Sequence, residues 1–96
     1  MSSQQRTRKF ALGQVVATPG ALEAFSAAGQ SAEEFLDRHA AGDWGDVSDE
    51  DKKENEDSVT GDLRILSAYR LKDGTKIWII TEADRSSTCV LLPEEY

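Results

Sequence analysis

The sequence predicts an α+β fold: a three-stranded antiparallel meander covered by an αα-hairpin, with a short N-terminal segment as an optional fourth strand. Two short runs of β-branched, aromatic and aliphatic residues, 77–80 and 89–92, flank a polar link near the C-terminus, and such runs are typical of strands. Two stretches with helix-capping residues precede them. Because the helices come before the strands and do not alternate with them, the order favours α+β over α/β.

The N-terminal part divides into an arm and the start of a domain. Residues 1–9 are polar and include three basic side chains, which predicts a flexible arm, and residues 10–96 are predicted to form one domain. Residues 10–17 contain four large apolar residues around Gly13. We expect a short strand here, broken by a bulge at the glycine; an irregular segment packed under the sheet is the alternative.

Capping residues mark two short helices. Thr18 is an N-cap followed by a first-turn proline, and Gly29 is a C-cap, so a helix is predicted over residues 19–28. Ser31, with a glutamate three residues later, has the pattern of a capping box and predicts a second helix over residues 32–41. The short link between them predicts a helical hairpin on one face of the sheet.

An acidic segment, residues 43–62, follows the second helix. It contains nine acidic and two basic residues, a net charge of −7 that equals the net charge of the whole chain. Ser48 is the expected cap of a polar third helix over residues 49–58. The segment is either a solvated face or a docking site for a basic protein, as a regulatory subunit or a nucleic-acid mimic. The residues predicted to contact such a partner are Glu50, Asp51, Glu54, Asp57, Trp44, Asp84 and Arg85.

A hairpin signal joins the first two strands of the meander. Asp73 and Gly74 are typical of a two-residue turn in which both residues have positive φ. Residues 62–71 are then the strand before the turn, and counting back from it places Tyr69 opposite Trp78. This register predicts that Trp78 is a core residue.

Composition limits the classes of function. A net charge of −7 argues against direct binding to nucleic acid. No apolar run is long enough to span a bilayer, and the N-terminus lacks the apolar stretch of a signal peptide, so we expect a cytoplasmic protein without a membrane partner. Cys89 is the single cysteine and is expected to be an inert, buried thiol. No motif for a cofactor or a metal ion is present.

Two polar clusters support an enzyme as the alternative function. A histidine beside carboxylates can supply an acid or base, or ligands for a metal ion. The structural interpretation is a helix-end histidine, aspartates that favour turns and Trp44 as a core or hinge anchor. The second cluster is then an ordinary hairpin loop in which Arg85 pairs with Glu82 or with the acidic segment. In the enzyme alternative the protein is a small metal-assisted hydrolase, and its residues are His39, Asp43, Asp46, Glu82 and Asp84.

Five motifs resemble a family of small uncharacterised bacterial proteins that are often called plasmid-related. Some members of that family bear the label of a type I restriction endonuclease methylation subunit, but nothing in this chain resembles an S-adenosylmethionine site. The resemblance spans nearly the whole chain and implies a plasmid or mobile-element context without a mechanism. The motifs are LGxxxATPGAL (12–22), RHxxGDWG (38–45), EDKKxN (50–55), LSxYR (66–70) and KIWIITEADRSxTxxLLPxEY (76–96).

Taken together, the sequence favours a small acidic accessory protein of a mobile element that docks a basic protein partner, without catalysis and without a cofactor. An anti-defence role as a nucleic-acid mimic is one form of this function. Residues 62–71 or 89–92 are predicted edge strands, through which two copies could pair as a homodimer.

Overall fold

A computed structural model describes residues 8–96 and confirms the α+β class. Residues 1–7, most of the predicted arm, lie outside the described part of the chain. The Lys9 N–H, at the end of the predicted arm, donates to the Ala40 carbonyl at 2.7 Å. The elements are β1 (Gln14–Ala17), α1 (Pro19–Ala28), α2 (Ala32–Ala40), α3 (Asp49–Gly61), β2 (Ile65–Arg70), β3 (Lys76–Thr81), β4 (Ser87–Leu91) and a one-turn 3₁₀ helix (Pro93–Glu95).

The sheet has four strands in the order β1-β4-β3-β2. Strands β2, β3 and β4 form the predicted antiparallel meander. The optional fourth strand is present as β1, and it lies parallel to β4, so the sheet is mixed. The Gln14 N–H donates to the Ser86 carbonyl, and the Thr18 N–H donates to the Val90 carbonyl, each at 3.0 Å. Strand β4 is therefore an interior strand, and the prediction of an edge at residues 89–92 is wrong.

The turn between β2 and β3 has three residues, 72–74, instead of two. The Leu71 N–H donates to the Thr75 carbonyl at 2.8 Å and closes the loop. The Gly74 N–H donates back to the Leu71 carbonyl at 2.9 Å, and Gly74 has the expected positive φ, of 91°. This geometry is the three-residue hairpin that ends in a left-handed residue, and it moves the strand pairing by one position relative to a two-residue turn.

The register corrects the predicted position of Trp78. Trp78 lies opposite Ala68, and Tyr69 lies opposite Ile77, so the predicted Tyr69–Trp78 pair is wrong. Because side chains alternate between the faces of a strand, Tyr69 lies on the helix-covered face and is 3% exposed. Trp78 lies on the opposite face and is only half-buried, so it is not the core residue that the sequence predicted.

Helices α1 and α2 form the predicted hairpin. The Thr18 hydroxyl accepts the Ala21 N–H at 3.1 Å, and Gly29 ends α1 with a φ of 67°. At the start of α2, the Ser31 hydroxyl accepts the Glu33 N–H and not the N–H one residue later that a capping box uses. Helix α2 ends at Ala40, one residue before the predicted end.

Helix α3 is one turn longer than predicted. The Ser48 hydroxyl accepts the Asp51 N–H at 3.1 Å, as the sequence predicted. The helix continues to Gly61 and ends at Asp62, whose φ is 57°. No helix within residues 8–96 is both long and apolar enough to cross a bilayer.

Two groups of apolar side chains fill the space between the helices and the sheet. One lies under α1 and α2 and consists of Ala21, Phe25, Phe35, Tyr69, Leu71, Ile77, Ile79 and Val90. The other lies beside it and consists of Phe10, Leu12, Ala40, Trp44 and Ile65, with Val47 and Val59 packed against it. Burial of these side chains is the main favourable term in the stability of the fold.

Strand β2 forms one edge of the sheet, but the outward backbone groups of Leu66 and Ala68 are already bonded. The Ala68 N–H donates to the Trp44 carbonyl at 3.1 Å, and the Ala68 carbonyl accepts the Asp46 N–H at 2.7 Å. The side chain of Asn55, on α3, bonds both backbone groups of Leu66. These bonds occupy the positions through which a second copy would pair with residues 62–71, so β2 does not offer the open edge that the sequence predicted.

Candidate functional site

His39 is fully buried in the last turn of α2 and takes part in a chain of hydrogen bonds across the sheet. Its Nδ1 lies 2.5 Å from the Ser67 hydroxyl, and its Nε2 lies 2.9 Å from the Thr81 hydroxyl. The Thr81 hydroxyl lies 2.8 Å from that of Thr88, which donates to the Leu12 carbonyl at 2.7 Å. The chain joins α2 to three strands and to the segment before β1.

The final acceptor sets the direction of the bonds from His39 Nε2 to the Leu12 carbonyl. A carbonyl can only accept, so Thr88 spends its one hydroxyl proton on Leu12 and accepts from Thr81. Thr81 therefore accepts from His39 Nε2, which must carry a proton. Burial lowers the pKa of His39 and so favours the neutral imidazole, in which Nδ1 carries no proton and accepts from Ser67. His39 is then the Nε2–H tautomer.

The surroundings of His39 hold it in the neutral form. Burial lowers the pKa of His39 from its usual 6.5 to about 3, and the positive charge of Arg85 adds to this shift. The rings of Phe10 and Trp44 contact the imidazole edge to face, with centroids 5.2 Å and 6.1 Å away. Because both ring nitrogens are bonded and the side chain is closed off from solvent, His39 is placed to tie α2 to the sheet and has no route to a substrate.

The aspartates after α2 hold the loop that leads to α3. The Asp43 carboxylate accepts from Arg38 Nε at 2.7 Å and from the Gly45 N–H at 3.2 Å. Hydrogen bonding to Asp43 raises the pKa of Arg38. Asp46 is exposed and lies 3.9 Å from the Arg70 guanidinium. Asp43 and Asp46, which the sequence grouped with His39, therefore hold this loop.

Arg85 anchors the loop between β3 and β4. Its φ of 60° is left-handed, and its guanidinium lies over the Phe10 ring, 5.6 Å from the centroid. A planar guanidinium with several donors suits the binding of several carbonyls at once. The carbonyls that accept from it are those of Ser58, at 2.6 Å, Leu63, at 2.7 Å, Glu82, at 3.1 Å, and Ala83, at 3.2 Å. The loop is in this way fastened to the end of α3.

The two carboxylates of that loop lie in separate surroundings. Glu82 accepts from Arg64 Nη2 at 3.4 Å. Asp84 is exposed and accepts the Ser86 N–H at 2.9 Å, and this hydrogen bond lowers the pKa of Asp84. Within residues 8–96, no group of three or more His, Cys, Asp and Glu side chains is placed to hold a metal ion. The described part of the chain thus gives the metal-hydrolase alternative no geometric support.

Helix α3 presents most of its acidic side chains to solvent. Glu50, Glu54 and Asp57 are exposed and lie on one side of the helix, because their spacing is four and then three residues. Asp51 is also exposed, next to Glu54. None of these four carboxylates has an ion pair or hydrogen bond with another residue between 8 and 96. Helix α3 buries only polar residues, Asn55 and Ser58.

Two of the predicted partner contacts instead fasten α3 to the domain. Trp44 is 4% exposed, and its Nε1–H donates to a Glu56 carboxylate oxygen at 2.9 Å. The bonds of Arg85 to the carbonyls around the end of α3 hold the other end of the helix. Neither side chain is free to bind a partner. The predicted contact residues that remain available at the surface are the four carboxylates of α3 and Asp84 in the neighbouring loop.

A cavity of about 240 Å³ lies between parts of α3 and β2, next to the Asn55–Leu66 bonds. Carboxylates form one wall of it, and a leucine and an arginine form the other. Its lining residues are Asp51, Glu54, Asn55, Ser58, Arg64 and Leu66.

Comparisons with family models, with curated proteins and with solved structures found no match to this chain. Its function therefore has to be inferred from its own geometry. Two features of that geometry were missed from the sequence: the buried hydroxyls of Ser67, Thr81 and Thr88, and the role of Asn55. The available signal was a hydroxyl residue within each of three apolar strands, and one amide residue in the otherwise charged run 49–57 of α3.

Proposed function

We propose that this chain is a small, non-catalytic interaction protein that docks a basic protein partner through the outward face of α3. The supporting observation is the set of four exposed carboxylates, Glu50, Asp51, Glu54 and Asp57, which lack cationic partners among the described residues. Carboxylates held this close repel one another, and a basic surface relieves that repulsion on binding.

The attachment of α3 supports the same proposal. Asn55, Trp44 and Arg85 fix the helix at its middle and at its C-terminal end, so the acidic face is held rigidly and costs little entropy to present to a partner. The resemblance to plasmid-related proteins favours a cytoplasmic partner encoded by a mobile element or by its host.

The test compares two variants that remove the same amount of charge. One neutralises α3, and the other neutralises four exposed carboxylates on α1 and α2. Each set includes two residues in the first turn of a helix, so the loss of favourable helix-dipole interactions is matched. The α3 variant is Glu50→Gln, Asp51→Asn, Glu54→Gln and Asp57→Asn; the control is Glu23→Gln, Glu33→Gln, Glu34→Gln and Asp37→Asn.

Tagged wild-type protein and both variants are incubated with bacterial lysate, and captured proteins are quantified by mass spectrometry. We expect wild type and the control to enrich the same basic protein, and the α3 variant to lose it. Binding of the purified partner should weaken as salt rises, since exposed charges are screened within about 8 Å at physiological ionic strength. Equal capture by wild type and the α3 variant would rule out docking through α3. Competition by duplex DNA would identify the partner as a nucleic-acid-binding protein.

A further inference from the structure

One face of the sheet is not covered by the helical hairpin. Helices α1 and α2 pack on the face that carries Tyr69, Ile77 and Val90. On the opposite face lie the 3₁₀ turn and Tyr96, whose ring meets that of Trp78 edge to face at 5.7 Å. Tyr96 is 70% exposed. By register, the strand residues on this open face are Gln14, Val16, Leu66, Ala68, Arg70, Lys76, Trp78, Ile80, Ser87, Cys89 and Leu91.

The open face contains a cavity of about 300 Å³ with an apolar floor. Ile80, Cys89 and Leu91 form the floor, and Tyr96 forms one wall. A site of this kind, with an aromatic residue beside an apolar depression, is typical of the centre of a protein interface. The charged residues that border it are Arg64, Glu82 and Glu95.

Opposite charges lie at two corners of the open face. Arg70 and Lys76 are paired across β2 and β3, and both are exposed. Arg70 lies 3.9 Å from the Asp46 carboxylate, so Lys76 carries the unpaired positive charge of this corner among the described residues. Glu94 and Glu95 lie in the turn after β4, and Glu95 accepts from the Thr18 hydroxyl just after β1. The basic corner is therefore on the β2 side and the acidic corner is on the β4 and β1 side, towards the same end of the strands.

We infer that this open face binds a second copy of the same chain, in a dimer whose two-fold axis runs along the strands. Such a rotation places β2 of one copy over β1 of the other and keeps the ends of the strands together. Arg70 and Lys76 of each copy then face Glu94 and Glu95 of the other. Trp78 and Tyr96 lie at the centre, where the two sheets pack in the aligned arrangement.

The distribution of charge favours a second copy of the chain as the binding partner, and a two-fold axis that runs along the strands. Residues 43–62 carry the whole net charge of −7, so the remainder of the chain is neutral and does not repel its copy. An axis along the strands leaves the two α3 helices on opposite sides of the dimer. An axis across the strands would bring the two acidic helices to the same side, where they repel.

The dimer is expected to be weak. Four strands about 4.8 Å apart, with about five residues each at about 3.3 Å, present a face of roughly 300 Å². A stable interface usually buries about 800 Å² on each partner. Exchange between monomer and dimer should therefore be rapid, and the dimer should appear only as the protein concentration rises.

The test is sedimentation velocity on the purified full chain over a concentration series. Lys76→Glu and Glu94→Lys each reverse one exposed charge. Because the dimer is symmetric, each substitution replaces two attractive contacts between the copies by two repulsive ones, so each should weaken self-association roughly tenfold. An equimolar mixture of these two variants should restore association to the wild-type level, because the reversed charges then attract. Tyr96→Ala, at an exposed position, should abolish the dimer. Lys52→Glu, an equal charge reversal on α3, is the control and should have little effect.

The proposal is overturned if wild type remains a monomer at the highest concentration, or if the mixed variants fail to associate better than either alone. It is also overturned if Lys52→Glu weakens the dimer as much as Lys76→Glu. The experiment contains no other protein, so its outcome is independent of whether α3 docks a basic partner.

Discussion

The side chain of Asn55 bonds both backbone groups of Leu66: its Nδ2 donates to the carbonyl at 2.8 Å, and its Oδ1 accepts the N–H at 3.3 Å. One amide side chain on α3 thereby replaces the neighbouring strand that β2 lacks at this point. Asn55 is 5% exposed, so the bonds are shielded from water. An uncharged Asn55 among the charged residues of α3 is explained by these two bonds, which need an amide that both donates and accepts.

Replacing Asn55 by Ala should destabilise the protein by about 1–3 kcal/mol, because two backbone groups of Leu66 lose their partners. Asn55→Asp should destabilise at least as much as Asn55→Ala, since its buried carboxylate accepts from the Leu66 N–H but faces the Leu66 carbonyl with no proton to donate. The measurement is the urea unfolding midpoint, together with hydrogen exchange of the Leu66 amide. Wild-type stability in Asn55→Ala would show that β2 does not depend on this contact.

The stability of the protein should fall in acid through His39. In the unfolded chain His39 binds a proton below its usual pKa of 6.5, whereas in the folded protein its pKa is about 3. The unfolded state therefore binds more protons between these values, and stability is lost as the pH falls from 6.5 towards 3. This linkage lowers the free energy of unfolding by about 2 kcal/mol between pH 7 and pH 5.

The measurement is urea unfolding of wild type and His39→Gln at several pH values from 7 to 5. The variant has no group titrating at this position, so its stability should change less over this range. The other described groups with shifted pKa values titrate outside this range. The pKa values of Asp73, Asp84 and Glu95 are lowered, and those of Arg38 and Cys89 are raised. Parallel pH profiles for the two proteins would contradict the assignment of a buried neutral imidazole.

Arg85 should contribute to stability through the carbonyls that its guanidinium holds. Arg85→Ala should cost about 2–3 kcal/mol, because charged hydrogen bonds to several carbonyls are lost. Arg85→Lys should recover only part of this, since one ammonium cannot span the same set of acceptors. Both variants keep a non-glycine residue at the left-handed φ, so their difference reports the guanidinium. Hydrogen exchange in the last turn of α3 should accelerate in Arg85→Ala; full rescue by lysine would exclude this role.

Gly74 and Gly61 form a matched pair for testing the hairpin turn. A Cβ added at either position meets no atom within 4 Å, but only Gly74 has a positive φ, of 91°. Gly74→Ala should therefore destabilise by about 1 kcal/mol or more through backbone strain alone. Gly61→Ala, at the end of α3, should be neutral or stabilise by up to about 1 kcal/mol. Equal effects on the thermal midpoint would argue against the left-handed turn.

The short helices and the turn between β2 and β3 were predictable because their sequence signals are local. Thr18 and Gly29 each cap α1 by bonding a backbone group three or four residues away. Ser48 caps the start of α3 in the same way. The positive φ of Gly74 also follows from the turn residues. The candidate acidic surface was predictable in the same way, since exposure of Glu50, Glu54 and Asp57 follows from their helical spacing.

Contacts between distant residues were decided by the tertiary structure. One additional residue in the 72–74 turn moved Trp78 from the core to the open face, because each one-residue change in register reverses the facing of a strand. Trp44 and Arg85 were among the residues predicted to contact a partner, yet packing turned both inward.

The amino-acid sequence by itself determined the α+β class, the caps and the position of the charge, since each depends on neighbours along the chain. Only the tertiary structure decided that β1 lies parallel to β4, that His39 is buried among hydroxyls and that Asn55 completes the edge of β2. Those relationships join residues 11 to 76 positions apart. Polar groups so far apart find each other only when burial removes water as their alternative partner.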